Sequence, residues 1–240
     1  MHVRAVLRYG ISALAAAVAA LVVVAPATFA NTQRLSIIAP QGARPASGKT
    51  YGDWSAAWWQ LMMAIPVESN PTFDSTGANC SGGNTAGVFF LAGQGTGETV
   101  MRSCTVPTTK PLFFPLINVE CSNVEAPPFY GATDADREAC ARQVADGIGI
   151  STLQVVLDGV NVGNMSRFRA ASLPFNFTVP LNDNILFVDG VTSGTSASDG
   201  YWVLLNPPSR GAHTIHFEGL VISGVGAGFS QNVTYNLTAQ

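Results

Sequence analysis

Thr50–Pro66 reads TYGDWSAAWWQLMMAIP and holds three of the four tryptophans and two of the five methionines in the chain. Trp54, Trp58, Leu61, Met62 and Ile65 fall at i, i+4, i+7, i+8 and i+11, so they share one face of a helix. Thr50 is placed to cap its start, and Asp53, three residues on, puts a carboxylate against the unpaired N–H groups. Pro66 lacks the donor that would continue the helix. Trp59 and Met63 lie on another side, so the helix is apolar over more than one stripe and predicts burial on two sides. Trp58 or Trp59 also has a functional reading, since an amphipathic ring beside a groove can stack on a sugar or other flat ligand.

Upstream of this stretch, Arg34–Ile38 has strand character, and the Pro, Gly, Ala and Ser residues before Gly48 predict a loop. Residues 1–30 carry Arg4 and Arg8, an apolar run from Ile11 to Val24, and small residues before Ala30, the pattern of a secretory signal peptide cut after Ala30 or, alternatively, Ala27. The apolar run is shorter than the roughly 20 residues a membrane span needs, and no later stretch approaches that length. The expected location is the periplasm or the medium outside the cell. Residues 31–240 have the length of one domain with a sizeable core.

Without the signal segment, ten basic residues face 15 acidic ones, with no basic cluster, so nucleic acid is a poor partner. Scarce charge with many Gly, Ser, Thr and Asn suits a secreted β-protein with neutral polar surfaces. Cys80, Cys104, Cys121 and Cys140 are an even set in an oxidising compartment, where disulfides persist. Pairing Cys80 with Cys104 and Cys121 with Cys140 closes two compact loops; the other two pairings remain open. There is no C-x-x-C spacing and only two histidines follow the signal segment, so neither a metal nor another cofactor is expected.

Downstream of the helix, the chain is loop-like to Gly87, and then Val88–Ala92, Thr99–Val106, Leu112–Val119 and Leu153–Leu157 have β character. A second helix is expected over 134–146, with Thr133 as cap and Gly147 as stop. Asp158-Gly159 marks a tight hairpin turn. Further strands are predicted at Met165–Ala171, Pro174–Val179, Ile185–Val188, Gly200–Leu205, Ala212–Glu218 and Asn232–Thr238. Leu173, Phe175, Phe177 and Val179 alternate onto one face, as do Val233, Tyr235 and Leu237. The expected fold is mainly β: an antiparallel sandwich of jelly-roll type, with a closed barrel as alternative, and two short helices near 51–65 and 134–146.

WSAAWWQ (Trp54–Gln60), FFPLINVE (Phe113–Glu120) and the late DGYWVLL and GAHTIHF segments (from Asp199 and Gly211) resemble an uncharacterised family of exported bacterial proteins. These have a Trp-rich N-terminal helix and a β-rich C-terminal region. The resemblance spans most of residues 31–240 and implies export and bacterial origin. It brings no activity and no functional residue.

Chemistry is therefore sought residue by residue. His213 and His216 sit at an odd offset, so on a strand they face opposite ways; His213 shares its face with Ile215 and Phe217 and reads as a hydrogen-bonded core residue. His216, beside Glu218, is a candidate general base. Among carboxylates, Glu120, Glu125, Asp74, Asp189 and Asp199 sit at strand ends or in loops where sites are built. Glu120 stands out because it ends an apolar run and precedes Cys121, and Arg102 is its candidate partner. The glycine runs from Gly93 and Gly224 lack the spacing of nucleotide loops, and there is no G-x-S-x-G or H-E-x-x-H. Two functions follow. One is a non-catalytic exported protein binding a glycan, an envelope component or a protein partner through loops and exposed aromatics such as Trp59, Tyr130, Tyr201 or Trp202. The other is a secreted hydrolase using Glu120, His216 or both, with Arg102. A structural role in the envelope is the third.

Overall fold

The Trp-rich stretch folds as α1 (Tyr51–Ala64) in a computed structural model that describes residues 33–44, 48–84 and 87–240. The segment read as a signal peptide lies outside the described residues. Thr50 and Asp53 form the expected reciprocal cap: Thr50 Oγ1 accepts from Asp53 N at 3.1 Å, and Asp53 Oδ2 accepts from Thr50 N at 2.8 Å. At the other end, where Pro66 brings no N–H to continue the helix, Asn70 Nδ2 donates to the carbonyls of Met62 and Ile65. The second helix, α2 (Asp134–Ala145), starts with the same box made by Thr133 and Asp136. No helix among the described residues is long and apolar enough to cross a membrane.

The rest is mainly β and forms two sheets. The strands are β1 (Phe89–Phe90), β2 (Thr99–Val106), β3 (Leu112–Ser122), β4 (Gln154–Leu157), β5 (Val160–Asn161), β6 (Phe175–Thr178), β7 (Ser193–Leu205), β8 (Gly211–Leu220) and β9 (Ser230–Ala239). One sheet runs β1-β3-β7-β6 and the other β2-β9-β8-β4-β5. Most neighbours are antiparallel, but β1 lies parallel to β3 and β2 parallel to β9. Both parallel pairs need a long return of chain. Between β1 and β3 the return, residues 91–111, runs through β2 in the other sheet. Cys80–Cys104 staples the loop before β1 to β2, and Cys121–Cys140 ties the end of β3 to α2, the pairing expected for both.

The sheets stack face to face, with Phe114 of β3 lying flat on Phe217 of β8 at 5.1 Å and Phe217 in turn on Tyr235 of β9. On its other side the first sheet carries the helices: Phe113 meets Tyr51 of α1 edge-on and stacks on Trp202 of β7. β3 is thus covered on both faces, which explains its unbroken run LFFPLI in place of alternation. Strands of the outer sheet have one wet face, and there alternation holds, as in β2 and in Val233, Tyr235 and Leu237 of β9.

Two predicted strands are absent. Ile185–Val188 is a loop because the Asn184 side chain bonds the carbonyls of Pro180 and Val188 and closes a turn on itself, with Asp183 and Phe187 at positive φ. Met165–Phe168 is a 3₁₀ turn launched by a left-handed Asn164. Arg34–Ile38 contributes one bridge, Ile37 to Leu205. Leu173 does not join the face of Phe175, Phe177 and Val179; it precedes the strand and is exposed.

Candidate functional site

β3 carries Pro115 in its middle, and a proline there has no N–H to give a neighbouring strand. The register against β7 shifts between Pro115 and Ile117, a bulge that re-aims the residues following it. Opposite the bulge sits Gly200, where a Cβ would lie 2.6 Å from Asn118 Cα and 2.7 Å from Ile117 O. Only glycine lets the two strands approach this closely. The result is that Asn118, Val119 and Glu120 leave the packed centre of the sheet and line a cavity.

This cavity, of 240 Å³, is walled by Ile117 and Val119 of β3, Trp59 of α1, Val144 of α2, Ile148 and Val221, and by Ile185 and Leu186 of the 183–188 loop. A second cavity, of 190 Å³, adjoins it and shares Trp59, Asn118, Ile185 and Phe229. Its other walls are Trp58, Phe73 and Phe187, with Gln94 and Gln231 at a polar end. Together they fall in the lower part of the range for small-molecule sites, roughly 300 to 1,000 Å³. Phe187 is 72% exposed, has φ 54°, and meets Phe73 edge-on at 6.0 Å. A bulky side chain in the left-handed region is held there by its surroundings, here the Asn184 turn, and such strain concentrates at sites.

The polar groups of the two cavities differ in how far they are committed. Gln231 Nε2 donates to Gln94 O, Gln231 Oε1 accepts from Gln94 N, and Gln94 Oε1 accepts from the N–H groups of Thr96 and Gly97. These amides are used up by the backbone. Trp59 Nε1 and Asn118 Nδ2 are buried and have no hydrogen-bond partner. An unpaired buried donor costs about 1–3 kcal/mol, so native folds keep few of them.

Glu120 closes one end of the larger cavity at 5% exposure, with Glu125 beside it. The two carboxyls hydrogen bond each other. Ser196 Oγ bonds Glu120 Oε2, and Ser122 Oγ donates to Glu125 Oε2 at 2.8 Å. Burial, then the charge of Glu125, pushes the Glu120 carboxyl well above the usual carboxylate range; burial also raises Glu125. The pair behaves as one unit holding a shared proton, with Glu120 the protonated donor.

The other residues singled out in the sequence lie elsewhere. Arg102 is 1% exposed and donates to the carbonyls of Asp74, Ala92 and Gly93 and to Tyr235 Oη, so it is a strap across the core and not a partner of Glu120. His216 is on the outer face of β8, 3.1 Å from Thr234 Oγ1 and 3.9 Å from Glu218. Glu120, Arg102 and His216 therefore occupy three separate neighbourhoods. His213 is a core residue, as read, bonded through Nδ1 to Asp158 and through Nε2 to Ser209 O. Trp202 and Tyr201 are not exposed: Trp202 is fully buried between Trp58 and Phe113, and Tyr201 is packed beside Arg169. Tyr130 is exposed at the edge of the first sheet. Asp199 forms a two-oxygen ion pair with Arg169, Asp74 pins its own loop through Thr76 and Asn79, and Asp189 is a surface residue.

Of the candidate residues named from the sequence, Trp58, Trp59, Glu120 and Glu125 reach the cavities. The pairing of the two glutamates had a local signal, Ser122-x-x-Glu125, in which Ser122 Oγ also receives the N–H groups of Val124 and Glu125 and turns the chain back on itself. Asn118 and Phe229 had none, because their role depends on the bulge and on a distant loop. Comparison of the chain with protein-family models, with curated proteins and with solved structures finds no match.

Proposed function

We propose that this chain is an exported, non-catalytic binding protein that takes the apolar body of a small envelope component into the paired cavities around Trp59. The observation that carries the reading is the join itself: two apolar-walled spaces meet at one half-buried tryptophan, roofed by Ile185, Leu186 and Phe187. The walls favour a molecule with hydrocarbon surface over a glycan, whose hydroxyls would be left without partners against Ile117, Val144 and Ile148. Two disulfides support export. The test is saturable uptake of a neutral naphthylamine dye, followed by its fluorescence and repeated with Ile185→Asp. Binding by the native protein and its loss in the variant are expected. Absence of saturable binding, or equal binding by the variant, would overturn the reading.

A hydrolase remains as a second reading on one observation, the Glu120–Glu125 pair. Carboxyls in direct contact are too close for glycoside hydrolysis, which needs about 5 Å or more between them. A shared proton instead resembles the carboxyl dyads that activate water. This reading requires turnover with a bell-shaped pH profile that either Glu120→Gln or Glu125→Gln abolishes.

A further inference from the structure

We propose that the junction of the two cavities is a seat for a neutral carbonyl oxygen, so that the ligand is an ester or amide of an apolar acid and neither a free carboxylate nor a plain hydrocarbon. The inference rests on the reading that the cleft binds an apolar molecule, and deepens it by naming the ligand's polar group. It starts from the two uncommitted donors. The indole Nε1 of Trp59 can only donate, so no reorientation makes it an acceptor, and it has no partner. Asn118 Nδ2 has none either, and it comes from a different element, β3 in place of α1. Both residues line both cavities.

The remaining polar groups there do not compete for the same ligand atom. Gln94 and Gln231 satisfy each other and the backbone. The unmet need at the junction is for an acceptor, and a carbonyl oxygen, with two lone pairs and no hydrogen, supplies it. Charge then selects among acceptors. A carboxylate at the junction would share the larger cavity with Glu120 and Glu125, whose carboxyls face no cation in their own contacts. Like charges in an apolar space repel strongly. A neutral ester or amide meets the donors without that penalty.

The experiment displaces the naphthylamine dye from the intact disulfide-bonded protein with nonane, methyl octanoate and octanoate at neutral pH. Methyl octanoate is expected to bind about tenfold tighter than nonane, the gain of one well-placed hydrogen bond, and octanoate weaker than the ester. Trp59→Phe keeps an aromatic ring and removes the N–H; it should cut the ester's advantage over nonane severalfold, with nonane measured in the same variant as its reference. Asn118→Val reads the second donor in the same way and stands in if the Phe variant does not fold. Glu125→Gln should narrow the gap between ester and octanoate. If dye and nonane bind but the ester has no advantage, or keeps its advantage in both donor variants, the carbonyl seat is refuted and the apolar cleft survives; a bridging water then serves the donors. If neither dye nor nonane binds, the cleft reading itself has failed.

Discussion

Replacing Glu120 by Gln should make the protein more stable at neutral pH, against the usual outcome for a buried and hydrogen-bonded group. The carboxyl of Glu120 is held well above its ordinary range by burial and by Glu125, so the folded chain keeps a proton that the unfolded chain, with Glu near 4.3, has released. Where the folded state binds more protons, stability falls as pH rises. The stabilisation is fully present below the unfolded value and is lost as pH climbs toward the folded one. One extra proton bound by the folded chain corresponds to a loss of about 1.4 kcal/mol per pH unit above the unfolded value. For a chain of this size that is roughly 3–6 °C in Tm per pH unit. Gln cannot ionise but preserves the shape and still donates to Glu125, so the slope should shrink in the variant to what the burial of Glu125 alone leaves. Glu125→Gln should retain a slope, since Glu120 stays buried and titratable. The assay is urea unfolding of the oxidised protein at half-unit steps of pH above the unfolded value. Parallel curves for the native protein and Glu120→Gln would refute the argument, whatever their absolute heights. The depressed carboxyls, Asp53, Asp74, Asp136 and Asp158, titrate on the acid side and add no slope here.

Gly200→Ala should cost about 3 kcal/mol or more by urea unfolding, because its Cβ meets the backbone of Asn118 and Ile117; Gly163→Ala, with open space around it, should lie within about 0.5 kcal/mol of the native protein. Thr50→Ala removes half of the reciprocal cap on α1 and should lower stability by about 1 kcal/mol, read as a fall of a few degrees in Tm. Asp158→Asn loses the charge that holds Leu35 N, Thr214 N and His213 Nδ1, and should cost about 2 kcal/mol at neutral pH. Burial opposes that charge, but the three bonds outweigh it and depress the Asp158 carboxyl, so its contribution exists above about pH 3.9 and disappears as pH falls through the lower folded value. The denaturation curves of the native protein and of Asp158→Asn should therefore converge in acid.

What the sequence showed was the part governed by local rules. The cap residues Thr50 and Thr133, the alternation of Val233, Tyr235 and Leu237, and the two short cysteine loops each act over a few residues or one strand, and each is present in the fold. The errors share a cause. Ile185–Val188 has strand composition, but the side chain of Asn184 outcompetes the ladder for Val188, and Met165 follows a left-handed Asn164 that no propensity announces. Trp202 and Tyr201 read as exposed aromatics because a strand covered on both faces cannot be told by its pattern from one with a wet side. The site was half legible: Trp59, Glu120 and Glu125 were candidates by residue type, whereas Asn118 became one only through a bulge three residues upstream.

A strand buried on both faces is expected to be apolar from end to end, yet β3 contains a proline, an amide with an unpaired donor and a neutral acid. Each departure has its own accommodation. The bulge absorbs Pro115, Gly200 gives Asn118 room, and Glu125 with Ser196 takes the Glu120 carboxyl. None of these makes the strand more stable than Val or Ile would. Local violations that a fold tolerates at such expense gather where a ligand must be met. The three also fall within six residues of one rigid strand, whereas the 183–188 loop contributes only hydrocarbon and a strained Phe187. Selectivity should then reside in β3 and Trp59, and the loop should govern entry: Phe187→Gly should alter the rate of dye uptake while leaving the order of ligand affinities unchanged.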